Sequence, residues 1–124
     1  MDQQTNGDYG KVTFADEVVA IIAGLAAMEI PGVSAMSSGI VEKLGKKNLS
    51  RGVKVEVGEK EAAIDLYLIV DYGVRIPDIS WNIQENVKKT VETMTGLHVI
   101  EVNIHIQGID FEKRTKEGEP PSKV

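Results

Sequence analysis

The chain contains no cysteine, and that absence removes disulfides, thiolate metal sites and a cysteine nucleophile together. It suits a reducing compartment. Aromatic residues are scarce: one Trp, three Tyr and two Phe. No apolar run is long enough to cross a bilayer, because Val18 to Met28 would measure about 16 Å as a helix against a hydrocarbon core of about 30 Å. The first residues, Met1 to Gly7, lack the charged and apolar regions of a signal peptide. Excess positive charge is also missing. The formal net charge is −5, so a nucleic-acid role would need a local basic patch acting against the overall field.

What is present fits one domain, since 124 residues fall within the usual size of one. Residues 1–9 are polar, and 113–124 carry no large apolar side chain before Val124, so both ends are expected to be flexible around a domain over 10–112. Within it, Lys11 to Phe14 reads as a short strand. Asp16 is placed to open a helix by capping or by favouring the positive end of the dipole. Val18, Ile21, Ile22, Leu25 and Met28 recur at helical spacing until Pro31-Gly32 stops the helix. Val33 to Leu49 is ambiguous between a short strand and a turn of helix around Ile40 to Leu44.

The pattern then sharpens. Val53, Val55 and Val57 alternate with Lys54 and Glu56 as in a half-buried strand, and Gly58 to Glu61 resembles a hairpin connection. Ile64, Leu66, Leu68 and Val70 alternate with Asp65, Tyr67, Ile69 and Asp71. A second helix begins near Pro77, carries Ile79, Ile83, Val87, Val91 and Met94 on one stripe, and ends at Gly96. The last strand sets Ile100, Val102, Ile104 and Ile106 against Glu101, Asn103, His105 and Gln107. These elements predict an α+β fold: a two-layer open-faced sandwich with both helices on one face of a mixed or antiparallel sheet.

Reactive groups do not converge. His98 and His105 are an odd number of residues apart, so they point to opposite faces unless a bulge intervenes, and they do not make a zinc site. His105 shares the polar face with Glu101, Asn103 and Asp65, a pairing that could serve a general base. No Ser, Thr or Cys stands out as its nucleophile, and a sheet face offers no pocket. The glycines form no phosphate cradle and no Gly-x-x-Gly loop between helices. No cofactor is expected.

Two surfaces draw attention instead. Ala20, Gly24 and Ala27 line a small-residue face of the first helix, suited to close approach by the second helix or by another subunit. Trp81 lies off the core stripe, and Tyr67 and Ile69 sit on the nominally polar sheet face; all three are candidate protein-contact residues. Lys43, Lys46, Lys47, Arg51 and Lys54 form a local basic cluster that reads either as solvated surface or as a patch for an acidic partner.

The run Gly52-Val53-Lys54-Val55-Glu56-Val57, the strand Ile64 to Tyr72, Glu29-Ile30-Pro31-Gly32-Val33 after an alanine-rich helix, and above all Thr95 to Gly108 occur in a fixed order. Together they resemble the alkaline shock protein family, the envelope stress response proteins of Gram-positive bacteria, over about residues 10–111. The resemblance implies a non-enzymatic cytoplasmic protein with no catalytic residues. It implies self-association and, in some members, recruitment to the membrane by a separate anchor protein. In others it implies a link to lipid synthesis through a subunit of acetyl-CoA carboxylase. Nucleic acid is the least expected partner class.

Overall fold

Eleven residues in the middle of the chain, Glu61–Asp71, form the strand around which the rest is arranged. The computed structural model describes residues 9–37 and 51–112. Their elements run α1 (Asp16–Met28), β1 (Val33–Met36), β2 (Val53–Val57), β3 (Glu61–Asp71), α2 (Ile76–Thr95) and β4 (His98–Asp110). The expected turn of helix around Ile40 to Leu44 lies outside the described residues, as do the two ends.

The strict alternation of β3 decides its surroundings. Ala62, Ile64, Leu66, Leu68 and Val70 are buried on one side, while Asp65, Tyr67 and Ile69 face the other. On one edge β3 pairs antiparallel with both β2 (Val53↔Leu66 to Val57↔Ala62) and β1 (Val33↔Val70 to Met36↔Leu68). On the other edge it pairs in parallel with β4, which requires the α2 crossover between them. The sheet is therefore mixed, with β3 in the centre.

β1 and β2 lie head to tail along the same edge. Ser37 N–H donates to the Tyr67 carbonyl (2.8 Å), and Tyr67 N–H donates to the Gly52 carbonyl (2.9 Å). The chain thus departs from the sheet and rejoins it at one residue of β3. Gly52 is at φ +78°, and a Cβ there would stand 2.8 Å from the Ser37 carbonyl oxygen, so this junction requires glycine.

Both helices cover the apolar side. α2 contributes Ile79, Ile83, Val87 and Val91 to the core and ends at Gly96 in the left-handed region (φ +80°). Met94, expected on the same stripe, is exposed; Leu97, after the Gly96 turn, fills the core instead. α1 starts with Asp16 and Glu17 in its first turn, where they favour the positive end of the dipole; no side chain caps it.

Its orientation corrects the expectation drawn from hydrophobicity. The buried residues are Val19, Ala20, Ala23, Gly24, Ala26 and Ala27, whereas Val18, Leu25 and Met28 are exposed. α1 lies on the sheet and against α2 at once, and small side chains let its backbone come close to both. Asn86 holds the contact by donating to the Ala26 carbonyl (2.8 Å) and to Glu29 Oε1 (2.9 Å).

Two further corrections concern the ends of the sheet. Lys11 to Phe14 form no strand; Phe14 packs against the core while Val12 stays exposed, so this stretch lacks a buried alternating face. In β4 the register shifts between Ala62↔Val99 and Ala63↔Glu101, leaving Ile100 as the extra residue of a bulge, 53% exposed. Val99 takes the buried place expected of Ile100. The same bulge resets the parity, so His98 (opposite Glu61) and His105 (opposite Tyr67) share the open face, six β3 positions apart. That separation is about 20 Å, too far for one ion.

The inverted helix makes an unusual stability prediction. Ala27→Leu, which overfills a fully buried site, should cost about 1–3 kcal/mol in urea unfolding. Leu25→Ser, the larger loss of hydrophobicity, should cost less than about 1 kcal/mol because the side chain is 54% exposed.

Candidate interaction surfaces

Three surfaces remain once the core is filled. The first is the outer side of α1. Val18 (44% exposed), Leu25 (54%) and Met28 (40%) follow one another at intervals of seven and three residues, with Ile21 half-buried between them. They form a ridge of large apolar side chains with no basic residue in the helix. Ala20, Gly24 and Ala27, the residues expected to allow close approach, are buried within the chain. Ala20 lies beside Val53 and Val55 of β2, and the burial of Ala20, Gly24 and Ala27 leaves them little surface for a second molecule.

The second surface is the open face of the sheet. Tyr67 and His105 are directly opposite in register, and their rings stack with centroids 4.5 Å apart at 15°. His105 Nε2 lies 3.0 Å from Asp65 Oδ1, so the imidazole is held between a carboxylate and a phenol ring. Ile69 packs over Gly108, where a Cβ would lie 3.6 Å from its side chain. Glu56, Asp65 and Glu101 outnumber Lys54 here, which makes the face acidic. The His–carboxylate pair has general-base geometry, but both side chains are over one-third exposed. The Ser37 hydroxyl of this face is directed at Gln107 Oε1 (3.5 Å), with Tyr67 on the strand between it and His105. A broad depression along α2, lined by Asn82, Glu85, Asn86, Lys89 and Glu92, lies elsewhere. Among the described residues no three His, Asp or Glu side chains are grouped to hold a metal.

The third surface is the outer edge of β4. α2 runs antiparallel to β4 and lays polar side chains on that edge. Lys88 Nζ donates to the Val99 carbonyl (3.0 Å), Val99 N–H donates to Glu92 Oε2 (2.9 Å), and Gln84 Nε2 donates to the Val102 carbonyl (3.0 Å). Trp81, 60% exposed, comes one turn earlier on the same side of α2, so it continues along this edge toward Ile104. Glu92 also meets Lys88 Nζ (2.9 Å) and His98 Nδ1 (3.2 Å). Burial pushes its carboxyl up, but the hydrogen bonds from Lys88 and Val99, with the Lys88 and His98 charges, outweigh it and hold it below the usual glutamate value.

Of the basic cluster, Arg51 is half-buried and Lys54 exposed on β2; Lys43, Lys46 and Lys47 lie outside the described residues. Sequence reasoning located Trp81, Tyr67 and Ile69 off the core but missed the Val18–Leu25–Met28 ridge. The signal was the run of alanines on the opposite side, which marks the closer contact. Tyr72 and Phe111, ring centroids 5.5 Å apart beyond the ends of β3 and β4, also escaped notice.

These features define an α+β domain that presents surfaces of differing chemistry around one core. Residues 4–111 match the model of the alkaline shock protein family, described as having a cell envelope-related function. The chain belongs to that family. Its relatives include the uncharacterised proteins YqhY (44% identical over 112 residues, 87% of this chain and 83% of that protein) and YloU (41% over 107 residues, 82% and 89%) of Bacillus subtilis strain 168. The stress response regulator gls24 homolog of Streptococcus pyogenes serotype M3 is 34% identical over 125 residues, 97% of this chain and 68% of that protein. Among solved structures, MamM CTD overlaps with a TM-score of 0.49 at 15% identity, covering 76% of this chain and 95% of that one. Among the described residues no helix is long and apolar enough to cross a membrane.

The Glu92 network predicts a pH dependence of definite sign. A carboxyl whose folded pKa is depressed contributes stability above its unfolded pKa, about 4.3, and loses it as pH falls through the lower folded value. Glu92→Gln should therefore be less stable than the parent near pH 7, with the gap closing toward about pH 3. Urea unfolding at the two pH values measures it.

Proposed function

We propose that this chain is a non-catalytic protein-binding module of cell-envelope stress homeostasis, self-associating and brought to the membrane by a protein partner. The observation that carries the reading is the α1 ridge. Val18, Leu25 and Met28 stay exposed on a helix whose inner side is already filled, so they add nothing to the core. Covering side chains of this size is worth about 1 kcal/mol each at half exposure, which favours a partner surface without adding strain to the monomer. The lack of basic residues on α1 speaks for a protein partner over direct adsorption to anionic lipid. The family's cell envelope-related function and the gls24 stress response relative support the setting.

The imidazole of His105 belongs to this reading as a contact group. Asp65 and Tyr67 hold it in one orientation on an accessible face, which suits recognition.

Leu25→Glu should leave the far-ultraviolet circular dichroism unchanged and reduce recovery of the protein with cross-linked envelope fractions at least about tenfold. Envelope recovery equal to that of the parent, with Met28→Glu equally silent, would remove the support for this surface. Recovery of a carboxylase subunit in place of a membrane protein would shift the reading to a regulator of lipid synthesis.

A further inference from the structure

The two edges of the sheet are protected unequally. On one side β1 and β2 are only four and five residues long, are interrupted at Tyr67, and carry Lys54 and Glu56. A bulge at Ser34 breaks the register of β1 further. Short, bulged, charged strands are how proteins prevent edge pairing. On the other side, β4 is thirteen residues long and pairs only with β3 among the described residues. α2 covers its beginning: Val99 and Val102 have their outward groups bonded to Lys88, Glu92 and Gln84.

Past Val102 no side chain of the described residues is bonded to the outer edge. Outward-pointing residues alternate along a strand, so Ile104 and Ile106 follow Val102 in directing N–H and C=O away from β3, up to a second bulge at Gln107, where the pairing passes from Leu68↔Ile106 to Ile69↔Gly108. From Asn103 to Ile109 the side chains are Asn, Ile, His, Ile, Gln, none and Ile, with no Lys, Arg, Asp, Glu or Pro. Ile104 and Ile106 are only partly buried, and Trp81, one turn before Gln84 on the same side of α2, is exposed.

We infer that the Ile104–Ile106 stretch of β4, between its two bulges, pairs antiparallel with the same stretch of a second copy, joining two sheets across a two-fold axis through His105. The inference rests on the self-association proposed above and names its interface. A strand is the occupant because unpaired, in-line backbone groups are satisfied along their length only by another extended chain. A second copy is the occupant because the stretch is complementary to itself. In this register Ile104 faces Ile106 of the second copy, so apolar meets apolar. Glu101 and Asp110 fall outside the paired residues and do not oppose each other. Ile104 and Ile106 form two hydrogen-bonded pairs with about four backbone hydrogen bonds in all, and the two His105 residues form the close, non-hydrogen-bonded pair between them. The axis is perpendicular to the sheet, so both α2 helices lie on the same side and run antiparallel. Trp81 of each then covers the new seam from the helix layer, which gives its exposure in the isolated chain a purpose.

The absence of native cysteine makes the arrangement directly testable. In a close cross-strand pair the Cα atoms are about 4.5 Å apart, within the range a disulfide spans. Under mild oxidation, His105→Cys should form a disulfide-linked dimer, while Glu56→Cys, on the opposite edge, should not. The fold of each variant is checked by circular dichroism. Asn103→Lys with Gln107→Lys places like charges at both ends of the seam on both copies while approaching Glu101 and Asp65 in the monomer. It should weaken dimerisation in sedimentation equilibrium about tenfold or more. Trp81 emission should shift to the blue as the parent protein is concentrated. A parent that dimerises while His105→Cys cross-links no faster than Glu56→Cys would overturn the β4 seam and leave self-association intact. A parent that remains monomeric at high micromolar concentration would overturn both, leaving the edge to a strand of another protein.

Discussion

The approach of α1 to two neighbours at once governs the rest of the molecule. A helix resting on a sheet alone buries one stripe of large side chains. This helix must also meet α2, and Val19, Ala23, Ala26 and Ala27 join the buried residues of the sheet and of α2 in one core cluster. Close-packed interiors tolerate neither voids nor extra methylenes, so only small residues fit there. Once that side is committed, Val18, Leu25 and Met28 have nowhere to go but outward. The outer ridge is thus a geometric result of the inner contact. Asn86 strengthens the arrangement by bonding to the last turn of α1 from α2.

A second constraint is the position of β3. Paired on both edges and buried along one side, it offers the other elements a fixed template. The two flanks of that template have different fates. One is split into short charged pieces, and the other is a long strand whose first part is covered by α2 side chains. The Glu92 carboxylate illustrates how the cover works. It accepts from the Val99 N–H that would otherwise face water, and Lys88 secures both Glu92 and the Val99 carbonyl. Polar side chains on a crossing helix can therefore close a sheet edge without an added strand.

Much of the architecture was legible from periodicity. The β2 and β3 alternations, the Pro77 start and Gly96 stop of α2, and the open-faced two-layer arrangement follow from patterns of two and of 3.6 residues, because a half-buried element displays its environment in its spacing. Errors came where spacing is silent about distance. In α1 the large residues have helical spacing, but so do the alanines behind them, and only the tertiary contact decides which side is inside. In β4 the Ile100 to Ile106 alternation is unbroken in sequence, yet the bulge at Ile100 shifts the first part by one residue. Val99 is then buried, and His98 joins His105 on the open face. The short alternation of Lys11 to Phe14 pairs with no strand among the described residues. Trp81, Tyr67 and Ile69 were recognisable because each interrupts a clear pattern, whereas the Tyr72–Phe111 pair lies beyond the elements, where no pattern exists to interrupt.

The junction at Tyr67 has a consequence for how such a chain can diversify. Ser37 and Gly52 both bond to the backbone of the same β3 residue, so β1 and the start of β2 meet at a two-sided clasp. A Cβ at Gly52 would stand 2.8 Å from the Ser37 carbonyl oxygen and 3.1 Å from that of Tyr67, pressing on both sides of the clasp together. A chain that replaced this one glycine would therefore loosen two strands at once, and the edge they share would change as a single piece.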